Sequence, residues 1–226
     1  MNIIVTGVSR GIGRAVIERF TDLGHKCLGV SRGDESIISP NSYGYNIVYT
    51  DWKSMDVLCN NIKSHFSGDQ IDVVINNAAS ITVMSLDELS EQGFIDQFRT
   101  NAILPFMFTK ALLKDGQLRL KAHIVNVGSM AGFQGSGKFS GLGAYSASKS
   151  ALACLTESMA AEWSNRINAN CLCLGAVNTE MLKQAFPNYV SEINGVEMAQ
   201  YICGFALNAH GIVNGQVIPV KKDDPN

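Results

Sequence analysis

The sequence predicts a single doubly wound α/β domain built on a parallel sheet of about seven strands. Three observations predict it. Short β-branched runs alternate with longer segments of helical periodicity along nearly the whole chain. A glycine cluster stands at the first strand-to-helix turn, where such domains approach a ligand with their backbone. The 226 residues are 46% hydrophobic and only 17% charged, which suits one large core and not a disordered chain. One domain is expected over residues 1–220, followed by a polar tail at 221–226, with no internal repeat or linker.

Composition also excludes functions. A net charge of −2 offers no basic field for nucleic acid or an anionic membrane. No apolar run reaches the ~20 residues of a membrane-spanning helix. No basic segment and long apolar core follow Met1, so no secretory signal is read, and a cytoplasmic protein with reduced thiols is expected. Cys171 and Cys173 form a C-x-C pattern with no second ligand pair nearby, so no metal site is read.

Taken in order, Asn2–Thr6 reads as a buried strand, and Gly7-Val8-Ser9-Arg10-Gly11-Ile12-Gly13 as the turn after it. Apolar residues at 15, 16, 17, 20 and 23 then predict a helix over 14–23, stopped by Gly24. Residues 26–31 are a second strand. Within this βαβ unit the glycines allow close approach of a pyrophosphate to a helix N-terminus. Arg32 lies at the end of the second strand, nineteen residues after Gly13. An acid there would bind a ribose 2′-hydroxyl; an arginine suits a 2′-phosphate. Arg10 and Ser31 add a second cation and a hydroxyl, which favours NADP(H) over NAD(H), against the plainer alternative of two solvated arginines.

Residues 33–42 are too short for a full crossover helix, and Pro40 limits them to a turn or two. Strands are expected at 43–49, 71–75, 122–127, 167–174 and 216–220, and helices at 55–66, 94–114, 145–163 and 196–208, with a kink at Pro105. Tyr145 and Lys149 stand four apart on the penultimate of these helices and so share a face. A nearby ammonium favours phenolate and lowers a phenol's pKa toward working pH. By itself this pair reads as a surface tyrosine and lysine that happen to sit four apart, because such pairs are common by chance.

The ordered set of motifs resembles the short-chain dehydrogenase/reductase family over nearly the whole chain. The carriers are Thr6-Gly7-x-x-x-Gly11-Ile12-Gly13, Asp51 after the third strand, Asn76-Asn77-Ala78-Ala79, then Asn101, Ser129, Tyr145 and Lys149, and the stretch from Asn170 to Met181. The resemblance implies a Rossmann-like fold and a hydride transfer between a nicotinamide and a carbonyl or secondary alcohol. It implies Tyr145 as proton donor, Lys149 as its support and a ribose ligand, Ser129 as an oxyanion donor, and Asn101 as holder of a relay water. It implies cofactor contacts from Gly7, Ser9, Arg10, Gly11, Ile12, Gly13, Ser31, Arg32, Asp51, Asn77, Ala78, Tyr145, Lys149, Gly175, Val177 and Thr179. Family members often pair through the helix at 145–163, whose few charges suit cover on two sides, so a homodimer or homotetramer is expected.

Departures from the family pattern are local. Leu174-Gly175 replaces Pro-Gly, residues 180–195 are short for a substrate cover, and Pro219-Val220-Lys221 replaces a C-terminal Asp-Gly-Gly. Two functions therefore compete: an NADPH-dependent reductase of a small carbonyl compound, and a catalytically idle dinucleotide-binding regulator. A sugar-nucleotide epimerase would need a substrate domain for which 226 residues leave no room.

Overall fold

The structure, a computed structural model, describes residues 1–33 and 38–222. Eight strands form one sheet: β1 (Asn2–Thr6), β2 (Lys26–Arg32), β3 (Ile38–Pro40), β4 (Asn46–Thr50), β5 (Ile71–Asn76), β6 (Leu118–Ser129), β7 (Ile167–Leu174) and β8 (Val217–Val220). Their order is β3-β4-β2-β1-β5-β6-β7-β8. All neighbours are parallel except β3 on β4. The helices are α1 (Gly11–Asp22), α2 (Met55–His65), α3 (Glu91–Phe98), α4 (Leu104–Lys114), α5 (Gly143–Glu162), α6 (Glu180–Ala185) and α7 (Gly195–Asn208).

Alternation along the strands builds two cores. Ile3, Val5, Ile75 and Val125 face α1 and α7, with Phe20 and Ile202 among their partners. Ile4, Val74 and Ile124 face the other way, with Leu58 and Ile62 of α2, Phe108 and Leu112 of α4 and Met159 of α5. α1 ends as the sequence predicts: Gly24 takes φ +80°, its N–H donates to Thr21 and that of His25 to Phe20.

Three predictions of element structure are corrected. The connection after β2 holds an extra antiparallel strand, β3, so the sheet has eight strands. The first part of the 33–42 segment, 34–37, lies outside the described residues, as does 223–226 of the polar tail. The helix expected over 94–114 begins at Glu91 and is broken by a π-helical turn at Arg99–Ile103, ahead of Pro105 and not at it. Pro105 has no N–H for the Asn101 carbonyl one turn back, so the regular ladder cannot run through this point. Third, residues 180–195 carry a helix of their own, α6, which the short segment gave no periodicity to reveal.

The departures at Leu174-Gly175 and at Pro219-Val220 leave the sheet intact. Leu174 pairs with Ser129 and Val220 in register, and the Gly175 N–H donates to the Val220 carbonyl at 2.9 Å, so the last strand closes the turn. One stripe of α5, through Ala147, Ser150, Cys154, Ser158 and Ala161, is exposed.

Candidate active site

Strand order reverses about β1 and β5, and the site lies at the carboxyl ends of these strands with β6 and β7. A cavity of about 490 Å³ runs there. Gly7, Ser9, Arg10, Gly11 and Ile12 line one part, Ser129, Tyr145 and Lys149 another.

The glycine turn is fixed by backbone needs. Gly7 and Gly11 have φ of +74° and +59°, a region other residues avoid. A Cβ on Gly13 would fall 2.3 Å from the Gly7 carbonyl oxygen and 2.2 Å from Asn77 Nδ2, so Gly13 lets α1 seat against the turn. The turn is tied to β5 as well. Thr6 Oγ1 accepts from the N–H groups of Asn77 and Ala78, both at 3.0 Å, and Asn77 Nδ2 donates to the carbonyls of Thr6 and Gly7 at 3.0 and 3.2 Å. Asn77 lines the cavity, but its side-chain amide is spent bracing the loop.

At the far end of β2, Ser31 is buried while Arg32 and Arg10 are exposed along the cavity wall. Asp51 stands apart: its carboxylate accepts from the Lys53 N–H at 2.9 Å and pairs with Lys53 Nζ at 3.2 Å, outside the cavity lining. Tyr49 and Trp52 line the wall in its place. Sequence reasoning missed both, although aromatic residues flanking Asp51 were the available signal.

Of the four catalytic candidates, Ser129, Tyr145 and Lys149 line the cavity, and Asn101 does not. Ser129 ends β6 and Tyr145 lies in the first turn of α5. Ser129 Oγ accepts from the Ala131 N–H at 3.2 Å, capping the short 3₁₀ turn at Met130–Gly132. The capping role and a donor role are compatible, because accepting from Ala131 leaves the serine's proton to point into the cavity. Lys149 is buried and donates from Nζ to the Val127 carbonyl at 2.7 Å. Burial, with no carboxylate beside it, pulls its pKa down to about 8.

The expected lowering of Tyr145 does not occur in this arrangement. Burial pushes the phenol above 10, and the nearby Ser129 hydroxyl only partly offsets it. Lys149 is oriented toward the Val127 carbonyl, and a buried phenol without an adjacent charge holds its proton. Asn101 is buried and its amide is fully used: Oδ1 accepts from the Ser80 N–H at 2.8 Å, while Nδ2 donates to the Ser80 carbonyl at 2.9 Å and to Ser148 Oγ at 3.0 Å. Ser148 Oγ in turn donates to the Tyr145 carbonyl at 2.7 Å. Asn101 thus braces the turn of α5 that carries Tyr145, a link through Ser148 that no spacing in the sequence reveals.

The remaining wall comes from two loops. Gly175, Val177 and Thr179 line the cavity after β7, and Thr179 caps α6. The excursion is pinned at its base by Ser191 Oγ to the Ala176 carbonyl at 2.9 Å and Asn178 N–H to the Ile193 carbonyl at 2.8 Å. Gln184 Nε2 of α6 reaches the Ile81 carbonyl at 3.2 Å. Phe186 meets Phe139 of the loop before α5 edge to face, ring centres 5.0 Å apart. Among the described residues no cluster of metal ligands occurs, and no helix is long and apolar enough to cross a membrane.

Comparison with known proteins agrees with this geometry. The family model described as "short chain dehydrogenase" matches residues 1–190. A 3-oxoacyl-[acyl-carrier-protein] reductase FabG from Vibrio cholerae is 29% identical over 187 residues, 80% of this chain and 75% of that protein. Its counterpart from Vibrio harveyi is 30% identical over the same shares of each chain. In fold, the chain is similar to Thermoplasma acidophilum aldohexose dehydrogenase, with TM-score 0.83 at 21% identity, covering 100% of this chain and 97% of that one. It is also similar to a 4-hydroxyisoleucine dehydrogenase complexed with NADH, with TM-score 0.81 at 21% identity, covering 97% and 96%. The chain therefore belongs to the short-chain dehydrogenase/reductase family, NAD(P)-dependent oxidoreductases that act on CH–OH and C=O groups.

Proposed function

We propose that the protein is an NADPH-dependent carbonyl reductase, working in either direction between a small ketone or aldehyde and its alcohol. The observation that carries this reading is the convergence of Ser129, Tyr145 and Lys149 on one wall of the cavity that the glycine turn opens. The residues present fit a dinucleotide, since Ser9, Arg10, Gly11 and Ile12 line the cavity at the N-terminus of α1, where free backbone N–H groups suit a diphosphate. When bound, the nicotinamide supplies the hydride.

The chain's own residues handle the proton. Tyr145, held protonated by burial, donates to the carbonyl oxygen of the substrate. Ser129 donates a second hydrogen bond to the same oxygen as its negative charge develops. Lys149, charged below about pH 8, stabilises the phenolate that Tyr145 becomes and binds ribose hydroxyls. Asn101 positions Tyr145 through Ser148, and its carbonyl, which Pro105 cannot serve, is the group we assign to a relay water behind Lys149. Ser9, Arg10, Gly11, Ile12 and Ala78 are assigned to the diphosphate side, and Gly175, Val177 and Thr179 to the nicotinamide side.

Ser31, Arg32 and Arg10 support the preference for NADPH, because two guanidiniums and a hydroxyl suit a 2′-phosphate. Exposed apolar side chains of Phe94, Ile95, Ile103 and Met107, on elements that pack against α5, support a homo-oligomer, to be read by light scattering.

The test is NADPH and NADH consumption with a panel of carbonyl compounds, repeated for Arg32→Asp. The wild type should prefer NADPH, and the variant should lose at least about tenfold of that preference, the scale of one charge-assisted contact. An unchanged ratio would count against the 2′-phosphate assignment.

A further inference from the structure

The cavity is chemically lopsided. Among the described residues, the charged side chains on its wall are Arg10, Arg32, Lys149 and Glu180. Arg10 and Arg32 lie at the glycine turn and at the end of β2. Lys149 is bonded to the Val127 carbonyl. Glu180 projects over Gly11, its Oε2 3.8 Å from where a Cβ there would stand. The wall beyond Ser129 and Tyr145 is different: Ile81, Met130, Phe139, Leu142, Leu182 and Phe186 line it.

Both loops that bring these side chains are braced. Ser136 Oγ donates to the carbonyls of Met130 and Phe133, and Lys138 Nζ donates to the Phe133 carbonyl at 3.0 Å. These bonds shape the turn that presents Phe139. The Gly141 carbonyl accepts from the Met84 N–H at 3.0 Å, tying the same loop to the segment after β5. On the other side Gln184 fastens α6, and Phe186 follows directly. The edge-to-face contact of the two phenylalanines joins the two loops across the chamber.

We propose that this end of the cavity selects an uncharged carbonyl compound with an apolar aryl or alkyl body, and that Phe139 and Phe186 are the specificity-determining pair. The inference rests on the reductase reading for the location of the reacting carbonyl beside Ser129 and Tyr145. Its physical basis is that a carboxylate or phosphate on the substrate would lose water here without gaining a cationic partner. Apolar surface, by contrast, finds both ring faces and four aliphatic side chains.

Equilibrium binding tests it without turnover. Acetophenone and 4-acetylbenzoate share the ketone and ring and differ by one carboxylate. Each is titrated by ligand-observed NMR into the wild-type protein, with and without saturating NADP⁺, whose oxidised state prevents reduction. Acetophenone should bind at least about tenfold more tightly, since an unpaired buried charge costs more than a factor of ten. The double variant Phe139→Ala/Phe186→Ala should bind acetophenone about tenfold more weakly, on the scale of a few lost methylenes. Its affinity for NADP⁺ should stay within about twofold, well under the tenfold that 1.4 kcal/mol represents. The leucine pair Phe139→Leu/Phe186→Leu keeps the chamber apolar and should keep the ranking even where the alanine pair folds poorly. The proposal is overturned by equal or tighter binding of 4-acetylbenzoate, by no measurable acetophenone binding, or by an alanine pair that folds and binds acetophenone unchanged. Failure of the parent reading shows separately, as NADPH consumption absent with every carbonyl tried.

Discussion

The two halves of the cavity are built by different means. The glycine turn and the ends of β1, β5 and β6 shape one half almost entirely with backbone: positive φ at Gly7 and Gly11, missing Cβ atoms, and Asn77 and Thr6 stitching the turn to β5. The other half is shaped by side chains on two loops, 133–142 and 177–194, that meet at Phe139 and Phe186. A backbone-built surface tolerates very few residue types, so it leaves a motif. A side-chain-built surface accepts any apolar residue of fitting size, so it leaves none, and its chemistry emerges only when the loops are placed.

The difference can be broken from the backbone side first. Gly13→Ala puts a methyl where the Gly7 carbonyl already stands, and that oxygen cannot swing away as a side chain would. Dinucleotide binding should be abolished in a fluorescence titration, and thermal unfolding should report a loss of about 1–3 kcal/mol, as overpacking does. Retained binding would mean that the turn is softer than its contacts imply.

A smaller effect is expected from the brace between the two halves. Asn101→Ala removes three hydrogen bonds and leaves the Ser80 N–H and Ser148 hydroxyl without this partner. Stability should fall by about 1–3 kcal/mol, the cost of buried groups left unsatisfied. Asn101→Asp should restore the bond from the Ser80 N–H but not the donation to Ser148. If Asn101 acts by orienting Tyr145, kcat should fall in both variants while KM changes little; a KM effect alone would assign it a purely structural part.

The pH dependence sharpens the catalytic wall. Lys149 loses its proton as pH rises through about 8, and the charge that supports the Tyr145 phenolate goes with it. Carbonyl reduction should therefore decline above about pH 8, approaching tenfold per unit where this ionisation controls the rate. An unchanged rate to pH 10 would remove Lys149's charge from the mechanism.

Stability should show the opposite limb, through a residue outside both halves. His123 in β6 is buried, with Nδ1 against the Ala206 carbonyl at 2.9 Å and Nε2 against Asn170 Nδ2 at 3.0 Å. Nδ1 must donate to the carbonyl, so Nε2 accepts and the ring is neutral. Burial lowers its pKa from 6.5 to about 4. The unfolded chain binds the extra proton between these values, so this contribution is present in full above pH 6.5 and is lost as pH falls through about 4. Urea unfolding at pH 7 and pH 4.5 should differ by an amount on the order of 2–3 kcal/mol from this group.

Much of this was legible in the sequence, for identifiable reasons. Buried parallel strands read as apolar runs, the glycine turn follows the first of them, Tyr145 and Lys149 stood out by their spacing of four, and Ser129 was reached through the family resemblance. β3 escaped because three residues carry no period, and α6 because six residues make too little of one. The bonds of Asp51 to Lys53 and of Asn101 to Ser80 and Ser148 are tertiary or loop-local choices that residue type alone leaves open. The direction of the Tyr145 pKa shift was misread for a related cause. Four residues of spacing gives a shared face, but the Val127 carbonyl decides where the ammonium points.

The proton-donor role of Tyr145 is tested most directly by Tyr145→Phe. The substitution removes one hydroxyl from a buried ring and leaves the glycine turn, Arg32 and Phe139 in place. NADPH affinity should stay within about threefold, while turnover should drop by about 10²–10⁴-fold, the range of a lost general acid. Turnover within tenfold of wild type, with binding intact, would contradict the assignment.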